Sequence, residues 1–132
     1  DAVVVCVGGN DVVRRVAASQ FARTYAKLVG RVRALQPHAA ILVCAVPDVG
    51  LSPLFTGADH DAVARLARED DAAVRTIARR AGATYVDLRA ATLRARGNVN
   101  RYFSDDRFHP SDSGYAELAD VLAPALLRAL GD

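Results

Sequence analysis

Three short stretches of this chain are apolar at nearly every position, and the stretches between them are apolar only at every third or fourth position. Residues 2–7 (AVVVCV) form the first dense run, rich in β-branched side chains and closed by Gly8 and Gly9. Residues 39–46 (AAILVCAV) form the second, closed by Pro47, and residues 84–88 (TYVDL) form a shorter third after Gly82. Runs of this kind fit strands buried on both faces, as in a parallel sheet. Between them Phe21, Tyr25, Leu28, Val29, Val32 and Leu35 follow the steps of an amphipathic helix that Pro37 stops. A second helix carries Val63, Leu66, Ala67, Val74, Ile77 and Ala78 on one face; Asp70 falls inside that stripe and is expected as a rim residue or a hydrogen-bonded polar contact. A third carries Tyr115, Leu118, Ala119, Leu122, Leu126 and Ala129, with Ser111 placed to cap its start. Pro124 is expected to kink or split that helix, because proline removes a backbone donor and crowds the preceding turn.

Strand, helix, strand, helix, strand, helix is the order of an α/β domain with a parallel sheet and right-handed crossovers. Its 132 residues suit a single domain with a core that needs no staples. Two long loops, residues 47–56 and 96–110, are the natural carriers of function. The net charge of +2 comes from mixed signs without a basic block, which argues against a nucleic-acid partner. Arg75, Arg79 and Arg80 read as a solvated helix face, and a single lysine, Lys27, among the basic residues reads as genomic composition. No apolar run reaches the roughly 20 residues that span a bilayer. The chain opens without a start methionine or a basic leader, so it reads as the interior of a longer protein whose targeting signals, and with them the localisation, lie elsewhere. Cys6 and Cys44 sit in strand-like runs, where a buried reduced pair is expected.

In an open parallel sheet, ligands bind beyond the carboxyl ends of the strands. Three features belong at that rim: Gly8-Gly9-Asn10-Asp11 after the first strand, Pro47-Asp48-Val49-Gly50 after the second, and Asp105-Asp106-Arg107-Phe108-His109-Pro110 before the last helix. A carboxylate three residues before a histidine can accept from Nδ1–H, fix the tautomer and leave Nε2 free as a base. Taken alone, the same residues also read as a surface loop with a capping carboxylate. The two glycines allow a sharp turn and a close approach to a ligand, and Asn10 has an amide that can face a developing oxyanion. Taken alone, they too read as an ordinary strand-to-helix turn. A dinucleotide fingerprint and a phosphate loop are both absent, so no cofactor is expected. His38, His60 and His109 are not at metal-ligand spacing, and Asp59-His60-Asp61 reads as a cluster favoured by a helix start, so no metal is expected.

Taken together, GGND at residues 8–11 and DRFHP at residues 106–110, the latter continuing into Ser111-Asp112-Ser113-Gly114-Tyr115, resemble the third and fourth motif blocks of the GDSL/SGNH hydrolases, a family of serine esterases and lipases. The resemblance covers essentially the whole chain. It implies a flavodoxin-like three-layer αβα sandwich with strand order 2-1-3-4-5, in which the three strands here are the third, fourth and fifth and the first two are missing. Residues 1–132 are then one SGNH hydrolase domain that is incomplete at its N-terminus. The resemblance also implies that His109 is the general base, Asp106 its orienting partner and Asn10 an oxyanion donor, with Gly9 and Asp11 on the substrate side and a small-molecule ester as ligand. The departure is the nucleophile. Ser19, Ser52, Ser104, Ser111 and Ser113 are available, and none follows a buried strand in a Gly-Asp-Ser context. The chain is therefore expected to supply the His–Asp pair and the asparagine but no nucleophile, and to be inactive by itself. A non-catalytic α/β domain that keeps the fold is the competing reading. Without its family neighbour, the edge of the first strand is expected to favour non-specific self-association.

Overall fold

The computed structural model describes residues 1–94 and 97–131. Three strands, β1 (Ala2–Val5), β2 (Ala40–Cys44) and β3 (Thr84–Val86), pair in parallel in the order β1-β2-β3. Val5 lies opposite Val43, and Cys44 opposite Val86. Helix α1 (Gly9–Val13) follows β1, and α2 (Ala18–Leu35) leads into β2. A 3₁₀ turn at Val49–Leu51 precedes α3 (Gly57–Arg80). After β3 come α4 (Leu88–Arg94), α5 (Val99–Tyr102) and α6 (Asp112–Leu130).

The sheet divides the core in two. On one face Val5, Ile41 and Val43 meet Val12 of α1, Phe21, Tyr25 and Val29 of α2, and Val63, Ala67, Val74 and Ala78 of α3. On the other, Leu42, Cys44 and Val86 meet Ala125, with Leu118, Val121, Leu122 and Leu126 of α6 packed around them. This is the expected α/β sandwich with helices on both faces of a parallel sheet. The strands are shorter than the apolar runs, because each run continues past its last paired residue onto the rim. Leu88, for example, already belongs to α4.

Several expectations are corrected. Cys44 is buried, but Cys6 is exposed, because β1 ends at Val5 and the next residues emerge at the rim, where Val7 is half uncovered. The two thiols are free, and a hydrogen bond with Cys44 lowers the Cys6 thiol to about 7 while pushing the Cys44 thiol up. Ala2, Val3 and Val4 are only half-buried, since β1 pairs with β2 alone among the described residues. Leu28 and Leu35 fall off the buried face of α2, and Tyr115 and Ala119 off that of α6, where Val121 and Ala125 take their place. Helix α6 runs through Pro124 without splitting; the ring lies on the solvent side, where water can satisfy the carbonyl one turn earlier. Arg75 is more than a solvated charge: it stacks on the Tyr85 ring at 4.2 Å and bonds the Tyr85 hydroxyl at 2.9 Å. Of the loop expected at residues 96–110, residue 96 lies outside the described residues, and Val99–Tyr102 is helical.

Asp70 is neither on a rim nor hydrogen-bonded. Its place at the centre of the α3 stripe buries it completely, and neither carboxylate oxygen has a partner among the described residues. Burial, reinforced by the charges of Asp11 and Glu69, pushes its carboxyl up to about 7. The folded protein therefore binds this proton more tightly than the unfolded chain, whose carboxyl titrates near 3.9. The resulting stabilisation is complete in acid and is lost as pH rises from about 4 through about 7. Thermal melts of the Asp70→Asn protein should lose that component of the pH dependence and show a higher Tm than the unsubstituted protein at pH 8. An unchanged pH profile would contradict the buried neutral carboxyl.

Candidate functional site

The parallel sheet delivers the turns after β1 and β2 to one rim. Gly8, with φ at +125°, turns the chain from β1 into α1; a Cβ there would lie 3.0 Å from Val46 Cγ2 and 3.2 Å from the Phe21 ring. Only glycine meets both demands, the left-handed backbone and the close packing. Asn10 then sits exposed in the first turn of α1, and Asp11 is half-buried beside it.

Residues 104–109 make a closed loop. Its neck is an antiparallel bridge between Phe103 and Pro110, and inside it Ser104 N–H donates to the His109 carbonyl and Arg107 N–H to the Ser104 carbonyl, both at 2.8 Å. The loop wraps the Asp106 carboxylate. Oδ1 accepts from Ser104 Oγ at 2.7 Å and from the Phe108 and His109 backbone N–H groups at 2.9 Å, while Oδ2 lies 2.5 Å from His109 Nδ1. The bond to His109, then those to Phe108 N–H, Ser104 and His109 N–H, hold the Asp106 carboxyl well below the usual carboxylate range. An ionised carboxylate has no proton to give, so Nδ1 is the donor of the short bond, and in a neutral ring Nε2 is the acceptor. The Phe108 ring meets the imidazole edge-on with centroids 4.9 Å apart.

Both features open on the same cavity of about 380 Å³. Gly9, Asn10 and Asp11 form one part of its wall and Phe108, His109 and Pro110 another. Asp48, Thr92 of α4, Tyr102 of α5 and Phe103 also line it, as do Cys6 after β1 and Tyr115 and Leu118 of α6. Gly8, Gly9, Asn10, Asp11 and His109 thus line one cavity, while Asp106 does not line it and connects to it through His109. Asp59, His60 and Asp61 are not part of it: Asp59 pairs with Arg15 at 2.7 Å and His60 Nδ1 lies 3.1 Å from Asp61. Among the described residues no group of three or more His, Cys, Asp or Glu is gathered as a metal would need, and no helix is long and apolar enough to cross a membrane.

Three residues named in the sequence reading take roles it did not assign, Asp48 having been placed at the rim without one. Ser104 serves the Asp106 carboxylate with its hydroxyl. The buried carboxylate of Asp48 pairs with Arg89 Nη2 of α4 at 2.8 Å, which anchors the turn after β2. Ser52, also buried, donates its hydroxyl to the Arg107 carbonyl. Ser104 lies two residues from its partner and carried a signal in its spacing; the other two contacts join residues far apart in sequence and carried none. The expected cap of α6 is present: Ser111 Oγ accepts from Gly114 N–H at 3.2 Å and donates to the Arg101 carbonyl.

Similarity to known proteins bears on this arrangement. A curated relative, the GDSL-like esterase Rv1075c of Mycobacterium tuberculosis, is 35% identical over 136 aligned positions that take in 98% of this chain and 41% of the relative. Among solved structures, an acetyl xylan esterase from Geobacillus stearothermophilus (the W215I variant of Axe2) superposes with a TM-score of 0.71 at 24% identity, covering 99% of this chain and 60% of that one. A family 3 carbohydrate esterase of Clostridium thermocellum gives 0.72 at 20% identity, with 100% and 60% coverage. LAE5, an alpha/beta hydrolase from the metagenome of Lake Arreo in Spain, gives 0.68 at 26%, with 99% and 60% coverage. The chain thus spans about two-fifths of the length of the curated relative and about three-fifths of these structures. The sequence profile of the GDSL-like Lipase/Acylhydrolase family matches residues 1–117, and the chain belongs to that family.

Proposed function

We propose that the protein to which this chain belongs hydrolyses carboxylic esters through a serine nucleophile, and that this chain supplies the rest of the machinery. The observation that carries the reading is the opening of His109 and Asn10 onto one cavity at the strands' carboxyl rim. His109 Nε2 takes the proton of the serine hydroxyl as it attacks the ester carbonyl, then returns it to the leaving alcohol. Asp106, ionised and bonded to Nδ1, keeps the ring in the required tautomer and stabilises the imidazolium that forms. Asn10 donates to the oxyanion of the tetrahedral intermediate, and Gly9 and Asp11 face the substrate beside it.

None of the chain's serines suits the attacking role. Ser52 is buried, Ser111 caps α6, and Ser104 gives its hydroxyl proton to Asp106. Ser19 lies in α2 and Ser113 in α6, with neither at a strand end. One variant of the Geobacillus acetylxylan esterase, a serine-to-alanine replacement, is described as a catalytic mutant. We place the corresponding serine of the present protein in a Gly-Asp-Ser block upstream of Asp1, on a strand that pairs with the free edge of β1. Residues 1–132 are, on this reading, one domain lacking its first two strands. The missing serine also favours a second reading, a non-catalytic domain that retains the fold, and the same experiment separates the two.

Turnover of short p-nitrophenyl esters should be absent for residues 1–132 and present for the protein extended about 50 to 80 residues upstream, a span set by two βα units. In the extended protein His109→Ala should lower kcat by about six orders of magnitude, Asp106→Asn by roughly 10⁴ and Asn10→Ala by about 10²–10³. Comparable turnover by residues 1–132, or an indifferent His109→Ala variant, would overturn the assignment. The free β1 edge should also make residues 1–132 self-associate with rising concentration in light scattering, an effect absent from the extended protein; a monodisperse monomer at high concentration would count against the missing strand.

A further inference from the structure

The loop that holds Asp106 and His109 contains a backbone conformation that the side chain at that position does not favour. Arg107 has φ at +60°, in the left-handed region that a non-glycine residue seldom occupies, and its side chain is exposed. What meets it is the turn after β2. There Ser52, 1% exposed, donates its hydroxyl to the Arg107 carbonyl and accepts from Leu54 N–H at 3.1 Å. The peptide unit that begins with this carbonyl ends in the Phe108 N–H, and that N–H donates to Asp106 Oδ1 at 2.9 Å. A peptide unit is planar and rigid, so one plate is gripped by Ser52 at its oxygen and by Asp106 at its nitrogen.

The grip has a firm base. Ser52 N–H donates to the Val49 carbonyl and Leu51 N–H to the Asp48 carbonyl, both at 3.0 Å. The buried Asp48 carboxylate ties the same turn to Arg89 on α4. The Pro47-Asp48-Val49-Gly50 feature, which has no part in the proton-transfer steps, thereby gains a use.

We propose that Ser52 is a positioning residue for the Asp106–His109 pair: by fixing the Arg107 carbonyl it holds the one loop conformation in which carboxylate and imidazole meet. Ser52 touches no reacting atom and acts only through the plate. The inference rests on the esterase reading for its catalytic meaning, but not for the geometry it asserts.

Nitrogen-15 NMR of the His109 ring reads that geometry without turnover. In the neutral ring of the unsubstituted protein the Nδ1–H tautomer should dominate, because Asp106 accepts from it. Ser52→Ala should shift the ring toward the Nε2–H tautomer, Ser52→Thr should restore the original pattern, and Ser52→Cys, which keeps the volume and weakens the donor, should fall between. In the extended protein Ser52→Ala should lower kcat tenfold or more with little change in KM. If Ser52→Ala lowers Tm yet leaves both the tautomer and kcat unchanged, Ser52 is structural only and the proposal fails. If Ser52→Ala does not fold, the Ser52→Cys spectrum decides: an unaltered tautomer sinks the proposal. A shifted tautomer in a protein that hydrolyses no ester would remove the esterase reading and leave the positioning role standing.

Discussion

Parallel backbone pairing of β1 with β2, Val5 opposite Val43, is the constraint on which the site depends. Because the strands run the same way, the turn after β1 and the turn after β2 leave the sheet on the same side. Gly8-Gly9-Asn10-Asp11 and Pro47-Asp48-Val49-Gly50 become neighbours although nearly forty residues separate them. Helix α6, packed across Leu42, Cys44 and Val86, brings its own N-terminal loop to that rim. No side-chain contact among the rim residues is needed to gather them. The sheet and the helix covering it do so, and the hydrogen bonds at the rim then refine an arrangement already made.

The parts legible in the sequence are those whose cause is local. Dense apolar runs announced the three strands. The steps of Phe21, Tyr25 and Val29 announced α2, and the Ser111 cap announced α6. The Asp106–His109 pair was legible for the same reason: every bond to the carboxylate comes from within three residues of it. A motif is readable when the physics that justifies it closes inside the motif.

What stayed illegible is set by partners distant in the chain or by how far burial reaches. Arg89 reaches back forty-one residues to Asp48, and Ser52 reaches forward fifty-five to Arg107. Helical spacing put Asp70 inside the apolar stripe, but whether that stripe would flood, pair or protonate a carboxyl is decided by α1 and α2 packing over it, which spacing alone does not state. Pro124 misled in the other direction. Part of the rule that proline breaks helices concerns an unsatisfied carbonyl, and on the exposed side of α6 that carbonyl faces solvent.

The bridge between Phe103 and Pro110 has a consequence for how such a protein can diverge. Drawn shut at its neck, the segment from Ser104 to His109 keeps most of its backbone hydrogen bonds within itself, with Ser52 as its hold from outside. The side chains of Tyr102 and Phe103, which form part of the cavity wall, can then change while the backbone bonds that close the loop around Asp106 and His109 stay in place. On the proposed function, ligand preference and acid–base chemistry would in this way be separable inheritances, carried by adjoining segments of one loop.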